Sequence, residues 1–308
     1  MSEATFRLTT HQQRSPASFH KLLLPWYDTH RRSFPWRSTR TPYNILVSEI
    51  MLQQTQASRV VDFYKRWLKK FPTFNSLARA SRGDVLRMWS GLGYNNRAIR
   101  LHELARYVVT QHRSHLPHNP EDLQKLPGIG KYTAHAIACF AFGQSIPVVD
   151  VNVKRVLTRW TNNVRAPHEL ISDTAAWNLA ERLIPHHRAY DWNQALMDLG
   201  SLVCTARRPR CVECPVHQCC CSAFSPLLMQ SIQRDKKREP SRKGIPRRLY
   251  RGRILKLLHT TPRTSRQIAA ELWKKFSTHD VRWLTEVLKQ MCSDGIVRKN
   301  RTKYALVE

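Results

Sequence analysis

Acidic residues are scarce in this chain. Twenty-two Asp and Glu stand against 51 Lys and Arg, a formal net charge of +29 over 308 residues. So large an imbalance calls for a polyanionic partner, with nucleic acid the first choice and an acidic membrane surface the second. Long apolar runs are missing as well: none approaches the roughly 20 residues that a membrane-spanning helix needs. The polar, aromatic-containing N-terminus also lacks the basic-then-apolar order of a secretory signal. These absences predict a protein that stays in the cytosol, where thiols are kept reduced. Its eight cysteines then read as metal ligands with some spares, not as a disulfide framework. Cys139 and Cys292 lie in apolar helical contexts and read as packing residues. Strand-like alternation is scarce too, which predicts an almost wholly helical body.

Residues 1–18 read as a flexible leader, 19–224 as the helical body, 225–248 as a basic linker and 249–308 as a small second domain. Helical periodicity recurs between short polar turns over Tyr43–Lys69, Ser81–Trp89, Arg97–Gln111, Pro120–Lys125, Tyr132–Phe142, Val151–Trp160, Thr174–Leu183 and Trp192–Val203. Around the linker, RDKKREPSRKGIPRRLYRGR places ten basic side chains among prolines and glycines, a composition that can lie along phosphates. Helical patterns follow over Leu249–Leu258, Ser265–Lys275 and Val281–Cys292, then two short strands about an Asn300-Arg301-Thr302 turn. Thr264 and Ser265, with Gln267 and Glu271 behind them, suit an N-capped second helix. This order is that of a winged helix, which binds DNA or, alternatively, a protein.

Three features carry chemistry. In Leu126-Pro127-Gly128-Ile129-Gly130-Lys131-Tyr132-Thr133, the paired Gly128 and Gly130 permit a tight turn and leave N–H groups at a helix start facing outward. A phosphate there gains hydrogen bonds without base specificity, as in a helix-hairpin-helix clamp. Cys204-x6-Cys211-x2-Cys214-x5-Cys220 sets four thiols beside Arg207, Arg208 and Arg210. The spacing accepts an iron–sulfur cube or a structural zinc, and Cys219 and Cys221 leave the last ligand ambiguous.

The third feature is an acidic pair. Glu49 lies in the apolar stretch Ile45–Leu52, where burial would raise its pKa and suit it to proton donation; its plainer role is a carboxylate paired with an arginine. Asp150 follows Ile146-Pro147-Val148-Val149 and precedes a helix, which it can cap while its charge faces an oxocarbenium-like sugar. A base must leave the stack before side chains can reach its glycosidic bond. Together these features point to an enzyme that excises bases from DNA.

The same residues resemble the MutY-type adenine DNA glycosylases of the endonuclease III superfamily. The similar stretches are Trp26-Tyr27, Phe34-Pro35-Trp36-Arg37, Thr41-Pro42-Tyr43, Ser48–Gln56, Gly91-Leu92-Gly93-Tyr94, the glycine hairpin, Asp150-x-Asn152-Val153-x-Arg155-Val156-Leu157 and the cysteine cluster, over roughly residues 19–224. The resemblance implies a mainly α helix-hairpin-helix body with a [4Fe–4S] cluster on Cys204, Cys211, Cys214 and Cys220. It also implies removal of adenine mispaired with 8-oxoguanine or guanine. By carry-over, Glu49 protonates adenine at N7 and Asp150 stabilises the sugar cation. Tyr132 sits beside the reaction centre, and Asn152 orients groups or water. Gln54 and Tyr94 wedge into the base stack, while Trp36 and Arg37 belong to the adenine pocket. Gln194 presents an amide that matches the N6/N7 edge of adenine. Bifunctional relatives carry lysine where Tyr132 stands, and tyrosine forms no Schiff base, so a monofunctional enzyme is expected.

Three departures bear on specificity. Val151 stands where the family has glycine, and Asn95 replaces a second tyrosine. The family's C-terminal Nudix-like domain, which reads 8-oxoguanine, is absent from the sequence and the basic winged-helix-like segment takes its place. The opposite base is therefore left open. A thymine or uracil mismatch glycosylase is the competing enzyme, and a noncatalytic DNA-binding protein the competing non-enzyme, although binding alone needs neither acid. The expected partner is double-stranded DNA containing a mismatch or damaged base, met by a cytoplasmic, nucleoid-associated monomer without membrane contact. The last domain would add contact with DNA or a repair protein.

Overall fold

The computed structural model describes residues 15–162, 164, 169–229 and 240–307. In chain order come α1 (Pro16–His30), α2 (Pro42–Leu52), α3 (Ala57–Lys70), α4 (Phe74–Ala78), α5 (Arg82–Trp89), α6 (Asn96–His112), α7 (Pro120–Lys125) and α8 (Lys131–Phe140). Then follow α9 (Val151–Thr161), α10 (Asp173–Arg182), α11 (Ala189–Leu202) and α12 (Pro226–Met229). The C-terminal elements are β1 (Ser241–Arg242), β2 (Ile245–Pro246), α13 (Arg247–Leu258), β3 (Arg263–Thr264), α14 (Ser265–Leu272), α15 (Thr278–Ser293), β4 (Val297–Asn300) and β5 (Lys303–Leu306).

Local chemistry sets many of these boundaries. Ser15 accepts from the Ser18 N–H at 3.1 Å and Pro16 occupies the first helical turn, so Pro16–Ser18 belong to α1 and not to a leader. Residues 1–14 lie outside the described residues. The continuous Tyr43–Lys69 pattern is broken into α2 and α3 around Gln54, whose backbone turns left-handed (φ 55°). Periodicity on both sides conceals such a break, because the apolar positions resume in phase with a helix.

The fold divides into two compact units that interleave along the chain. The first comprises residues 15–40 with 131–229, and the second residues 41–130 with 240–307. In the first, α1, α9 and α11 close on a core of Phe19, Leu23, Val153, Val156, Trp160, Trp192 and Leu199. The Phe19 ring stacks on Trp160 (4.6 Å between centroids) and meets the edge of Trp192 (4.9 Å). Emptying such a site ordinarily costs about 3–5 kcal/mol. In the second unit, the Tyr43 hydroxyl donates to the Phe71 carbonyl (2.8 Å) and accepts from the Trp67 indole (3.2 Å), satisfying the polar atoms of an aromatic core.

The C-terminal elements include those of the small domain expected for residues 249–308. Leu86 of α5 and Ile99 of α6 lie in the same buried cluster as Tyr250, Ile254, Leu288 and Ile296, so these elements complete the second unit. Their order is that of a winged helix, with a sheet ordered β3-β5-β4; the short β3, not foreseen, pairs with β5 through Arg263 and Tyr304. Of the expected linker, residues 230–239 lie outside the described residues. Beyond them Ser241–Pro246 is already folded as a hairpin, and α13 begins two residues before the helical pattern does. Among the described residues no helix is long and apolar enough to cross a membrane.

Asp280 pins this hairpin to α15. It accepts from the Ser277 backbone N–H (2.9 Å) and from Arg242 Nε (2.7 Å). These contacts, the Ser277 N–H foremost, hold its carboxyl far below the ordinary 3.8. A depressed carboxyl stabilises the fold above its ordinary pKa, and that contribution is lost as pH falls toward the folded value. Wild-type protein should therefore lose thermal stability on acidification below about pH 4. Asp280→Asn should melt lower at neutral pH and lose part of that dependence; parallel pH profiles for the two proteins would refute the role.

Candidate active site

Asp150 is the N-cap of α9. Its Oδ1 accepts from the Asn152 and Val153 N–H groups at 2.8 and 2.7 Å, and its Oδ2 accepts from Asn152 Nδ2 at 2.9 Å. The cap fixes the carboxylate at the positive end of the helix. Val151, placed where glycine was expected, lies in the helix with 74% of its surface exposed and takes no part in this arrangement.

Behind the cap lies Arg155, to which the sequence reading gave no role. Its Nη2 donates to Asn152 Oδ1 (2.9 Å) and to the Gly200 carbonyl (2.6 Å), and its Nε donates to the Cys204 carbonyl (2.9 Å). Arg155 thus ties the Asp150–Asn152 pair to the end of α11 and the start of the cysteine loop. α11 approaches closely only because position 200 has no side chain: a Cβ there would lie 2.8 Å from Asn152 Cβ.

Cys204, Cys211, Cys214 and Cys220 line one cavity with Arg159, Arg210 and His217. Cys219 and Cys221 turn elsewhere. Cys219 is buried with its thiol toward the Val216 carbonyl (3.4 Å), and the Cys221 thiol donates to the Thr161 carbonyl (3.1 Å). Burial pushes the Cys214 thiol up to about 12 and Cys220 well above its ordinary value, with neighbouring cysteines adding to the rise. Cys214 and Cys220 thus hold their protons unless a cation replaces them, and four thiols around one cavity fit a metal group. Among the described residues no three His, Cys, Asp or Glu form a group able to hold a single metal ion. Arg207 and Arg208, in the intervening loop, are exposed.

Trp36 and Arg37 form a short 3₁₀ turn with Pro35. Trp36 is buried and stacks on Phe34 (4.8 Å between centroids). Arg37 donates from Nη1 and Nη2 to the two oxygens of Asp198 (2.7 and 2.8 Å), while Arg32 Nε also reaches Asp198 (2.7 Å). Burial opposes the Arg37 charge, but hydrogen bonds and charge from Asp198 leave its pKa raised. Asp198 is another residue without an assigned role in the sequence reading. Its signal was helical spacing: Tyr190, Gln194 and Asp198 recur every four residues on one face of α11. The Tyr190 hydroxyl donates to the Arg37 carbonyl (3.2 Å), so the outer two members of this face hold the turn. Gln194 lies between them, 6% exposed, and its amide has no hydrogen-bond partner among the described residues.

The remaining candidates belong to the second unit, except Tyr132, which is half-buried in the first turn of α8. Glu49 is buried in α2, with 5% exposure. Gln54 and Tyr94 are exposed and both take left-handed backbones (φ 55° and 48°), whereas Asn95 is buried at the start of α6. Arg97 braces both turns, donating to the carbonyls of Ile50 (2.9 Å), Met51 (2.8 Å), Gln53 (2.5 Å) and Gly93 (3.0 Å). Gly128 (φ 80°) and Gly130 are exposed on either side of the buried Ile129, immediately before α8.

A family model described as HhH-GPD superfamily base excision DNA repair protein matches residues 47–182. The adenine DNA glycosylase of Mycobacterium tuberculosis is 39% identical over 285 residues, covering 90% of this chain and 89% of its own. The chain belongs to the adenine DNA glycosylase family. The mouse adenine DNA glycosylase is 47% identical over 212 residues, 66% of this chain but 41% of its own; the chain thus spans about two fifths of that relative's length. Among solved structures, a thermostable thymine-DNA glycosylase matches with a TM-score of 0.65 and 33% identity, covering 70% of this chain and 99% of its own. The helix-hairpin-helix glycosylase fold read from the sequence is thus the fold of this family.

The close approach at Gly200 is open to test. Gly200→Ala must separate α11 from Asn152, an overpacking expected to cost about 1–3 kcal/mol in urea unfolding. An unchanged midpoint would show that the two helices part freely.

Proposed function

We propose that the protein is a monofunctional DNA glycosylase that hydrolyses the N-glycosidic bond of adenine mispaired with 8-oxoguanine or guanine in base excision repair. The observation that carries this reading is the Asp150 cap, oriented by Asn152 and Arg155, in a chain matched over nine tenths of its length by an adenine DNA glycosylase. As the C1′–N9 bond breaks, its electron pair leaves with adenine and the sugar becomes cationic. Asp150 opposes that charge, and Glu49 supplies the proton that adenine takes up at N7. Asn152 and Tyr132 position the groups and the water that completes the sugar. Tyr132 offers no amine, and Lys131 is engaged elsewhere, its Nζ 4.2 Å from the Trp177 ring centroid. Gln194 would read the adenine edge beside Trp36, and Gln54 and Tyr94 would fill the vacated stack.

A [4Fe–4S] cluster is the metal group we assign to Cys204, Cys211, Cys214 and Cys220. One iron per thiolate suits four cysteines spread around a cavity, whereas a single zinc draws all four to about 2.3 Å. When bound, the group supplies cross-links that hold the arginine-rich loop to the end of α11. The protein would act as a monomer on duplex DNA at the cytoplasmic nucleoid, a placement its +29 charge supports. A second reading, thymine or uracil excision from mismatches, has the likeness to the thymine-DNA glycosylase structure in its favour.

Single-turnover base release from duplexes pairing adenine with 8-oxoguanine or guanine, beside guanine–thymine and guanine–uracil duplexes, decides between them. Adenine release is expected; pyrimidine release alone would establish the second reading. Glu49→Gln and Asp150→Asn should each slow release by at least about 100-fold with duplex binding retained. For the cluster, Cys219→Ser and Cys221→Ser should keep about four irons and four sulfides per chain, while Cys211→Ser should lose them. Stoichiometric zinc in place of iron would overturn the assignment.

A further inference from the structure

The C-terminal elements carry far more charge than their own fold uses. Residues 240–307 hold 17 Lys and Arg against four acids. Each acid is already neutralised within these elements: Asp280 by Arg242 (2.7 Å) and Lys243 (3.4 Å), Asp294 by Arg251 (2.5 Å), Glu271 by Arg263 (3.0 Å) and Glu286 by Lys289 (2.8 Å). The β4–β5 hairpin projects the surplus. Lys299, Arg301 and Lys303 are exposed around its tip, and none joins an ion pair among the described residues. Arg301 holds φ at 52°, a conformation glycine or asparagine adopts more readily. An arginine there sacrifices backbone comfort to keep a cation at the tip.

This hairpin is mounted firmly. Ile99 of α6 is part of the C-terminal core, and Asp294, just before β4, is held by Arg251 and by the side chain of Asn96 at the start of α6. The neighbouring Arg100 lies on the hairpin-turn side: a Cβ built at Gly128 would lie 3.8 Å from Arg100 Cβ. Tyr94 precedes the same helix. α6 thus follows the Tyr94 turn, passes near Gly128 and enters the C-terminal core.

We propose that the β4–β5 wing is a second contact with duplex DNA, its Lys299, Arg301 and Lys303 gripping the sugar-phosphate backbone as a fixed arm of the clamp. The inference rests on the DNA-directed function above and adds to it a site that acts without reading bases. Lys299 lies 5.8 Å from the Tyr304 ring centroid, but cations without carboxylate partners on a paired hairpin suit phosphates, whose spacing repeats whatever the sequence.

The test is binding of undamaged duplex by the full-length protein across a salt series, with the triple variant Lys299→Ala, Arg301→Ala, Lys303→Ala. The slope of log affinity against log salt should fall by about 2–3, and affinity near 150 mM salt should drop at least about 10-fold. Base release at saturating enzyme should be unchanged, because the wing contacts no reacting atom. Should the triple variant fold poorly, Arg301→Gly relieves the left-handed backbone and should be at least as stable, with a slope reduced by about 1. Replacing Lys299 and Lys303 by arginine should preserve the wild-type slope. An unchanged slope in the alanine and Arg301→Gly variants, with base release intact, would overturn the wing contact and turn the surface toward a protein partner. Normal duplex binding with a reduced variant slope but no base release from any substrate would instead sink the glycosylase reading and leave the wing standing.

Discussion

The distance between α11 and the first turn of α9 governs the arrangement around Asp150. It is set at Gly200, where Asn152 occupies the space a side chain would need. With Asn152 fixed there, its amide nitrogen meets Asp150 and its amide oxygen meets Arg155. Arg155 also donates to the carbonyls of Gly200 and Cys204. A buried guanidinium costs several kcal/mol in desolvation unless such acceptors surround it, so it persists only where the helices stay together. The carboxylate is consequently oriented before any ligand arrives, and an oriented charge need not reorganise when an opposing charge develops.

The second unit solves a related problem with Arg97. Left-handed backbones at Gln54 and Tyr94 carry strain and expose carbonyls at the end of α2 and in the Gly93 turn. One guanidinium collects four of those carbonyls. Burial pushes Arg97 down to about 10, which leaves it charged at neutral pH. Part of the basic excess therefore never faces solvent: Arg97, Arg155 and Arg159 are buried and organise backbone. The remainder is available to a polyanion, so net charge alone overstates the binding surface.

These buried arginines also mark where sequence reading stopped. Periodicity located most helices, and the Asp150 cap followed from a carboxylate standing between an apolar run and a helical pattern. The Thr264–Gln267 capping box was legible for the same local reason. The break at Gln54 was hidden because helices on both sides share a period, and the first turn of α1 because Pro16 reads as a loop residue until Ser15 is seen to cap it. Leu86 and Ile99 were recognisable as apolar helix positions, yet nothing local states that they enter the core of a segment more than 150 residues away. The directions of the Cys219, Cys220 and Cys221 thiols likewise follow from a loop conformation that spacing does not encode.

The base to be excised poses a finer question than recognition by an amide. Gln194 can donate and accept, and that pattern complements the N6/N7 edge of adenine but equally the O4/N3 edge of thymine. An amide by itself therefore does not separate the two bases, and this chain is similar in fold to a thymine-DNA glycosylase. The difference lies in the leaving group. A departing thymine spreads its charge over two carbonyl oxygens, which hydrogen bonds alone can stabilise, whereas adenine leaves readily only when a ring nitrogen is protonated. A positioned acid is thus a stronger demand of adenine than the amide is. Because an amide satisfies either base, the effect of Glu49→Gln on release would carry more information about specificity than the effect of replacing Gln194.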